Sequence, residues 1–247
     1  MKAAILYSFV FLSLAFMPDN FKSQQKKFPR VKEAYEEKEI LVKALFSSKG
    51  IELSSANIFM RLFKKEAALE IWGKLYKDKT FQLIKTYDVC SSSGELGPKR
   101  KQGDEQVPEG FYHIDAFNPY SNFHLSLLVS YPNASDKILG EKGNLGGNIC
   151  IHGNCVTIGC VPLTDDKIKE VYLMAVEAKS AGQSSIPVHI FPCRMDDEGM
   201  QYLEKKFKDE IKLLAFWKNI QLGYNYFEEH KSLPSVSVLN NGDYSIK

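Results

Sequence analysis

The sequence lacks an excess of either charge. Its 32 basic and 30 acidic residues leave a formal charge of +2, so no global field recruits nucleic acid, and no nucleic-acid partner is expected. Paired lysines such as Lys26-Lys27, Lys64-Lys65 and Lys205-Lys206 read as solvated faces rather than binding patches. There is no CxxC pair and no His-rich zinc spacing, which argues against a metal centre, and no cofactor is expected. Internal repeats and low-complexity tracts are missing. Also missing is any apolar run of the ~20 residues that a spanning helix needs.

The one apolar run of note, residues 3–17, follows Lys2 and gives way to polar Pro18-Asp19-Asn20. A basic start, a short apolar stretch and small residues near its end (Ser13, Ala15) read as a signal peptide over 1–17, with an uncleaved anchor as the alternative. No cysteine directly follows the run, so a lipoprotein anchor is not supported. The expected location is therefore outside the cytoplasm, in the periplasm or cell envelope. Five cysteines (Cys90, Cys150, Cys155, Cys160, Cys193) leave at least one thiol unpaired in an oxidising compartment. Cys150 and Cys155 could pair, although both flank a candidate nucleophile. Cys150 and Cys193 lie in apolar surroundings and read as small core residues, and Cys90 as core or cleft wall.

At 247 residues the chain can hold one medium catalytic domain and an accessory segment. Twelve per cent aromatic residues suits a sheet. Residues 18–50 read as a leader, flexible over 20–30, and a short amphipathic helix over 31–46 that Gly50 ends. The pattern then changes to short β-prone runs at 57–63, 68–72, 81–87, 110–115, 123–131, 148–152 and 187–191. Residues 90–110, rich in Gly, Ser, Pro and charge, read as a long loop, and such a loop inside a compact domain is usually functional. Two stretches take helical period as surface helices: 165–181, with Thr164 or Asp165 as N-cap and Gly182 as stop, and 200–219 after acidic Asp196-Asp197-Glu198. A mainly-β domain over 51–195 with one inserted helix, and a helical extension over 196–247, is the expected organisation.

The densest chemical signal is Ile151-His152-Gly153-Asn154-Cys155-Val156-Thr157-Ile158-Gly159-Cys160-Val161. A thiol is a poor nucleophile until it becomes thiolate, and a nearby imidazole can lower its pKa and hold its proton. A tight loop over 153–160 can return the chain from His152 to the same sheet edge. Gly159 lets backbone approach closely and leaves amides free for an oxyanion. Taken alone, these residues are also compatible with a hydrogen-bonded surface histidine, a core cysteine and a glycine hairpin. Cys155 is the thiol most easily mistaken for the nucleophile. His113, His124, His189 and His230 have no Gly-Cys partner in sequence and read as structural.

His-Gly followed by Thr157-Ile158-Gly159-Cys160 resembles the active-site signature of the L,D-transpeptidase (YkuD-type) family. The likeness is greater to the murein transpeptidase subgroup that includes lipoprotein-releasing enzymes. It extends over 59–172 through residues 87–90, Ser93-Gly94, Gly97-Pro98-Lys99-Arg100, Gly103-Asp104, Pro108-Glu109-Gly110-Phe111-Tyr112 and Tyr131-Pro132-Asn133. The resemblance implies a β-sandwich acting on peptidoglycan stem peptides, with a murein-linked lipoprotein as a further partner. It implies Cys160 as nucleophile and His152 as base, Gly153 supplying the carbonyl that orients the imidazole. Thr157 and Gly159 would shape the nucleophile turn, the Gly159 and Cys160 amides facing the oxyanion. Two departures stand out: Ile158 where the common signature has His, and Pro162 where it has a substrate-clamping Arg. Lys99, Arg100 and Arg61 are the candidate replacement cations. Joining stem peptides is the expected reaction. The alternatives are an endopeptidase or amidase that frees a peptide or lipoprotein from murein, and a catalytically silent peptidoglycan-binding module.

Overall fold

The computed structural model describes residues 21–247, so the apolar segment 1–17 read as a signal peptide lies outside the described residues. In chain order the elements are α1 (Phe21–Gln25), α2 (Pro29–Ser47), β1 (Ala56–Phe63), β2 (Ala68–Leu75), β3 (Gln82–Asp88), β4 (Gly110–Asn118), β5 (Ser126–Val129) and α3 (Ala134–Leu139). There follow β6 (Cys150–His152), β7 (Val161–Pro162), α4 (Asp165–Ser180), β8 (Pro187–Phe191), α5 (Asp197–Lys206), α6 (Ile211–His230), β9 (Val236–Val238) and β10 (Tyr244–Ile246).

Eight strands form one hydrogen-bonded order, β3-β2-β1-β8-β4-β5-β6-β7, and β9 and β10 make a separate hairpin. The expected sandwich of two sheets is therefore one curled sheet. Strand β4 makes the curl: Gly110–His113 pair with β8, the remainder pairs with β5, and a bulge lies between Ile114 and Ala116. A bulge adds twist and bends a strand, so one strand can serve both halves of the sheet.

Both faces of the sheet are covered, and β1 shows how. Alternate side chains of a strand point to opposite faces. Ile58, Met60 and Leu62 join the core beneath α2 and α4, whereas Phe63 packs with Phe191, Trp217 and Tyr224 under α5 and α6. Phe59 joins Trp72, Phe81 and Phe227 on that second face. The C-terminal segment is thus a covering layer, completed by a hairpin that its sequence did not announce.

Three expectations need correction. Of the stretch read as a flexible leader, residues 21–30 are ordered: α1 is helical, the Phe21 ring meets Phe117 edge-on at 4.9 Å, and Gln25 accepts a bond from the Tyr172 hydroxyl at 2.7 Å. Helix α4 is not a surface helix, being buried from Ile168 to Ala178 between the sheet and α2. Its buried polar side chains are paired, Lys169 with Glu33 and Glu37, Glu170 with Lys85 and Tyr87, Glu177 with Lys22 and Tyr35. A buried charge persists when it is paired, which is why an amphipathic pattern here does not mean exposure. The single helix expected over 200–219 is two, α5 ending at Lys206 before Phe207, whose ring turns onto Trp217 at 5.0 Å, and α6 continuing to His230.

Candidate active site

The ladder places the site. Strand β6 ends at His152, the loop 153–160 leaves the sheet, and β7 returns parallel to β6 with Ile151 opposite Val161. Cys160 is therefore brought back beside the strand that carries His152. Several bonds hold the loop in shape. The Thr157 hydroxyl donates to the Cys160 carbonyl at 2.8 Å and accepts from the Gly159 amide at 3.1 Å. The Asn154 amide donates to Asp165 at the start of α4 at 2.8 Å. A disulfide joins Cys155 to Cys90 at the mouth of the long loop.

Two glycines permit this path. Gly159 has φ +128°, and a Cβ there would lie 3.0 Å from the Gln106 carbonyl. At Gly153 a Cβ would meet an Asp165 carboxylate oxygen at 2.6 Å and the Phe123 carbonyl at 2.9 Å.

His152 is buried, and its Nδ1 lies 2.5 Å from the Gly153 carbonyl. A carbonyl can only accept, so the proton sits on Nδ1 and Nε2 is free to take another. The imidazole shares the larger cavity with the Cys160 sulfur. Burial pushes the imidazole pKa down, but the neighbouring Cys160 sulfur and the Gly153 carbonyl outweigh burial and raise it. The Cys160 thiol is held below the ordinary thiol range, first by the bond from Cys150 and then, against burial, by His152. The Phe123 ring lies over the imidazole, centroids 4.6 Å apart and planes 31° from parallel, and fixes its plane.

Two cavities reach Cys160. The larger, about 650 Å³, is lined by Lys99, Phe123, His152, Val156 and Ile158 among others. The smaller, about 260 Å³, runs along Ser91, Ser92, Ser93 and Leu96 to Lys64 and Tyr202. The long loop expected to be functional thus lines both.

The candidate cations are placed differently. Lys99 lines the larger cavity, but its ammonium donates to Asp104 at 2.5 Å and to the Lys101 carbonyl at 2.8 Å. Arg100 turns away, pairing with Asp136 at 3.4 Å over the Phe216 ring. Arg61 lies on β1, 2% exposed, held by Glu70 at 2.8 Å and Glu228 at 2.6 Å beneath α6. It lines neither cavity at Cys160, so it is a structural ion pair in the sheet's second face rather than a clamp. The Gly159 amide, expected to face an oxyanion, is engaged by the Thr157 hydroxyl. Pro162, in the position of the common Arg, lies buried in β7.

The cysteines also differ from expectation. Cys90, read as core or cleft wall, is bonded to Cys155, and Cys150 is not a core residue but stands against Cys160. Cys193 is buried as expected. Sequence reasoning missed Phe123, Asp165 and Cys150. Only Cys150 left a signal, its place on the His152 strand. Among the described residues no group of three or more His, Cys, Asp or Glu is placed to hold a metal ion.

Residues 72–190 match the YkuD family, the L,D-transpeptidase catalytic domain. Over 192 residues the chain is 36% identical to the Escherichia coli (strain K12) protein named "Putative L,D-transpeptidase YafK", spanning 76% of this chain and 74% of that one. The chain belongs to the L,D-transpeptidase family. Its fold also resembles the crystal structure of the helical cell shape determining protein Pgp2 from Campylobacter jejuni. That likeness has TM-score 0.44 and 16% identity over 81% of this chain and 80% of that one. Bdellovibrio bacteriovorus Bd1075 gives TM-score 0.40 and 20% identity over 74% and 77% of the two chains.

Proposed function

We propose that the protein is a cysteine-dependent L,D-transpeptidase acting on peptidoglycan stem peptides through an acyl-enzyme on Cys160. The observation that carries this reading is the placement of the Cys160 sulfur between a tautomerically fixed imidazole and two open cavities. The thiolate attacks the carbonyl carbon of the stem peptide's third residue, and the carbonyl electron pair moves to oxygen. With the Gly159 amide engaged, the Cys160 amide is the remaining donor of the expected pair for that oxyanion. As the oxyanion collapses, the C–N bond breaks and His152 Nε2 gives its proton to the departing amine of the terminal residue. A second amine then attacks the thioester, losing its proton to His152 and restoring the Cys160 thiolate.

Two cavities converging on one sulfur support a reaction with two peptide substrates. Water in place of the second amine would make the same site an endopeptidase, freeing a peptide or a lipoprotein from the wall. The Cys90–Cys155 disulfide supports an oxidising compartment and so the cell envelope. Among the described residues no helix is long and apolar enough to cross a membrane.

The test is incubation with purified disaccharide-peptides and mass analysis of the products. Cross-linked dimers with loss of a terminal residue support transfer, and cleaved monomers alone support the hydrolytic reading. Neither product, with no covalent adduct from a carbapenem, would overturn both and leave a silent binding module.

A further inference from the structure

The steps above leave one thiol of the site without a task. Cys150 lies on β6 one rung before the Ile151–Val161 pair, so the parallel ladder sets it opposite Cys160. Paired residues of adjacent strands project to the same face. The Cys150 amide donates to the Cys160 sulfur at 3.4 Å. Both sulfurs lie against one acceptor, the Asn148 carbonyl, at 3.5 Å from Cys150 and 3.6 Å from Cys160. Asn148 has φ +56°, a left-handed turn that asparagine tolerates better than most residues, and that turn aims the carbonyl at the pair.

A thiolate carries no proton, so once Cys160 is ionised it cannot donate to Asn148 and must be held by donors. His152 supplies one from its side. Cys150 supplies its amide from the other, and its thiol, held beside the same sulfur at the Asn148 carbonyl, is the second donor at hand. We propose that Cys150 is a positioning residue for the nucleophile, its amide and thiol holding the Cys160 sulfur on the β6 edge opposite the imidazole. This deepens the acyl-enzyme reading and rests on it.

Three further observations agree. The bond from Cys150 is the largest cause lowering the Cys160 thiol, and the Cys150 thiol is pushed up in return, so one thiolate forms at neutral pH rather than two. Cys150 is only partly buried, which a purely packing role would not require. The other charged groups lining the two cavities, Lys99, Glu105, Lys64, Lys65 and Glu95, are untouched by a change at position 150.

The experiment follows the pH dependence of iodoacetamide alkylation of the full-length protein, disulfide intact, with the labelled cysteine identified by peptide mapping. In the native protein, label below neutral pH should fall on Cys160 alone, and equal labelling of Cys150 would overturn the inference without any variant. In Cys150→Ala, which keeps the backbone amide and removes only the thiol, the Cys160 midpoint should rise and its rate at mildly acidic pH fall roughly tenfold, the size expected for one hydrogen bond to a charged group. In Cys150→Ser, which keeps a donor, the midpoint should return toward the native value. An unmoved midpoint in Cys150→Ala, with His152→Ala still shifting it, would sink the role of Cys150 and leave the acyl-enzyme reading standing. A midpoint that moves in neither variant would sink that reading itself.

Discussion

At Cys160 the chemistry turns on where one proton rests. The thiol is lowered and the His152 imidazole raised, so the proton that leaves sulfur is retained on nitrogen over the window between the two midpoints. Native alkylation should rise on the acid side, through a midpoint below that of an ordinary thiol. It should change again only where the raised imidazole loses its proton. Cys160→Ala should abolish turnover. His152→Ala should cost ~100-fold or more in kcat, as loss of a general base does, and move the thiol midpoint upward, read by the same alkylation profile. Lys99 and Arg100 are adjacent in sequence but should separate in effect. Lys99 lines the larger cavity with its ammonium held by Asp104, so Lys99→Ala should raise KM with little change in kcat and also lower Tm by breaking that pair. Arg100 balances the buried Asp136, whose carboxyl burial already pushes up to about 6. Arg100→Ala should therefore lower Tm and leave KM near native, which steady-state kinetics and thermal melts on both variants would resolve.

Among the elements, the catalytic loop 153–160 is the least self-sufficient. Strand β7 has two residues, and the loop's bonds outward lie at its start, so the Cys90–Cys155 bridge is the main tether of its middle to the body of the domain. The bridge spans a sequence separation of 65, for which the chain-entropy argument gives about 4 kcal/mol. A Cys90→Ala, Cys155→Ala double variant, which leaves no new thiol, should melt about 10 °C lower, since 1 kcal/mol is worth about 2–4 °C in a chain of this size. Its kcat should fall as well, because Cys160 sits at the end of the freed loop. A melt unchanged on calorimetry would show that the other bonds of the loop suffice. This bridge also explains why the pairing of Cys155 stayed open in the sequence: its partner lies on a distant loop that spacing does not bring near.

For the whole molecule, the covering layers are held partly by charge. Arg61 is buried on the second face among Phe63, Trp72 and Phe227, and ties β2 to α6 through Glu70 and Glu228. Glu109 does similar service, accepting from Trp217 Nε1 at 2.7 Å and from the Gly97 amide at 2.8 Å, and so joins α6 to the long loop. Breaking a buried pair typically costs about 3–5 kcal/mol. Arg61→Met should fall at the low end, because Glu70 keeps Arg194 and the Trp72 indole. A urea titration should show the midpoint moving down while kcat and KM hold. A large loss of activity with native stability would instead bring Arg61 back as a residue of the site.

The amino-acid sequence by itself determined the family, through His152-Gly153 and Thr157-x-Gly159-Cys160. It also determined the strands β1 to β3 and the helices α2 and α4, because these rest on local period, caps and turn residues. It set Lys99 and Arg100 on one glycine loop as candidate cations and offered nothing to separate Arg61 from them. Tertiary structure alone decided that Arg61 is sealed under α6 while Lys99 faces the cavity. It decided that α4 is buried with its charges paired, that Cys90 meets Cys155, and that Cys150 stands against Cys160. The reason is the same in each case. These facts depend on which segments the curled sheet brings together, through the bulge in β4 and the parallel rung of β6 and β7. Neither the bulge nor that two-residue strand leaves a periodic trace in the chain.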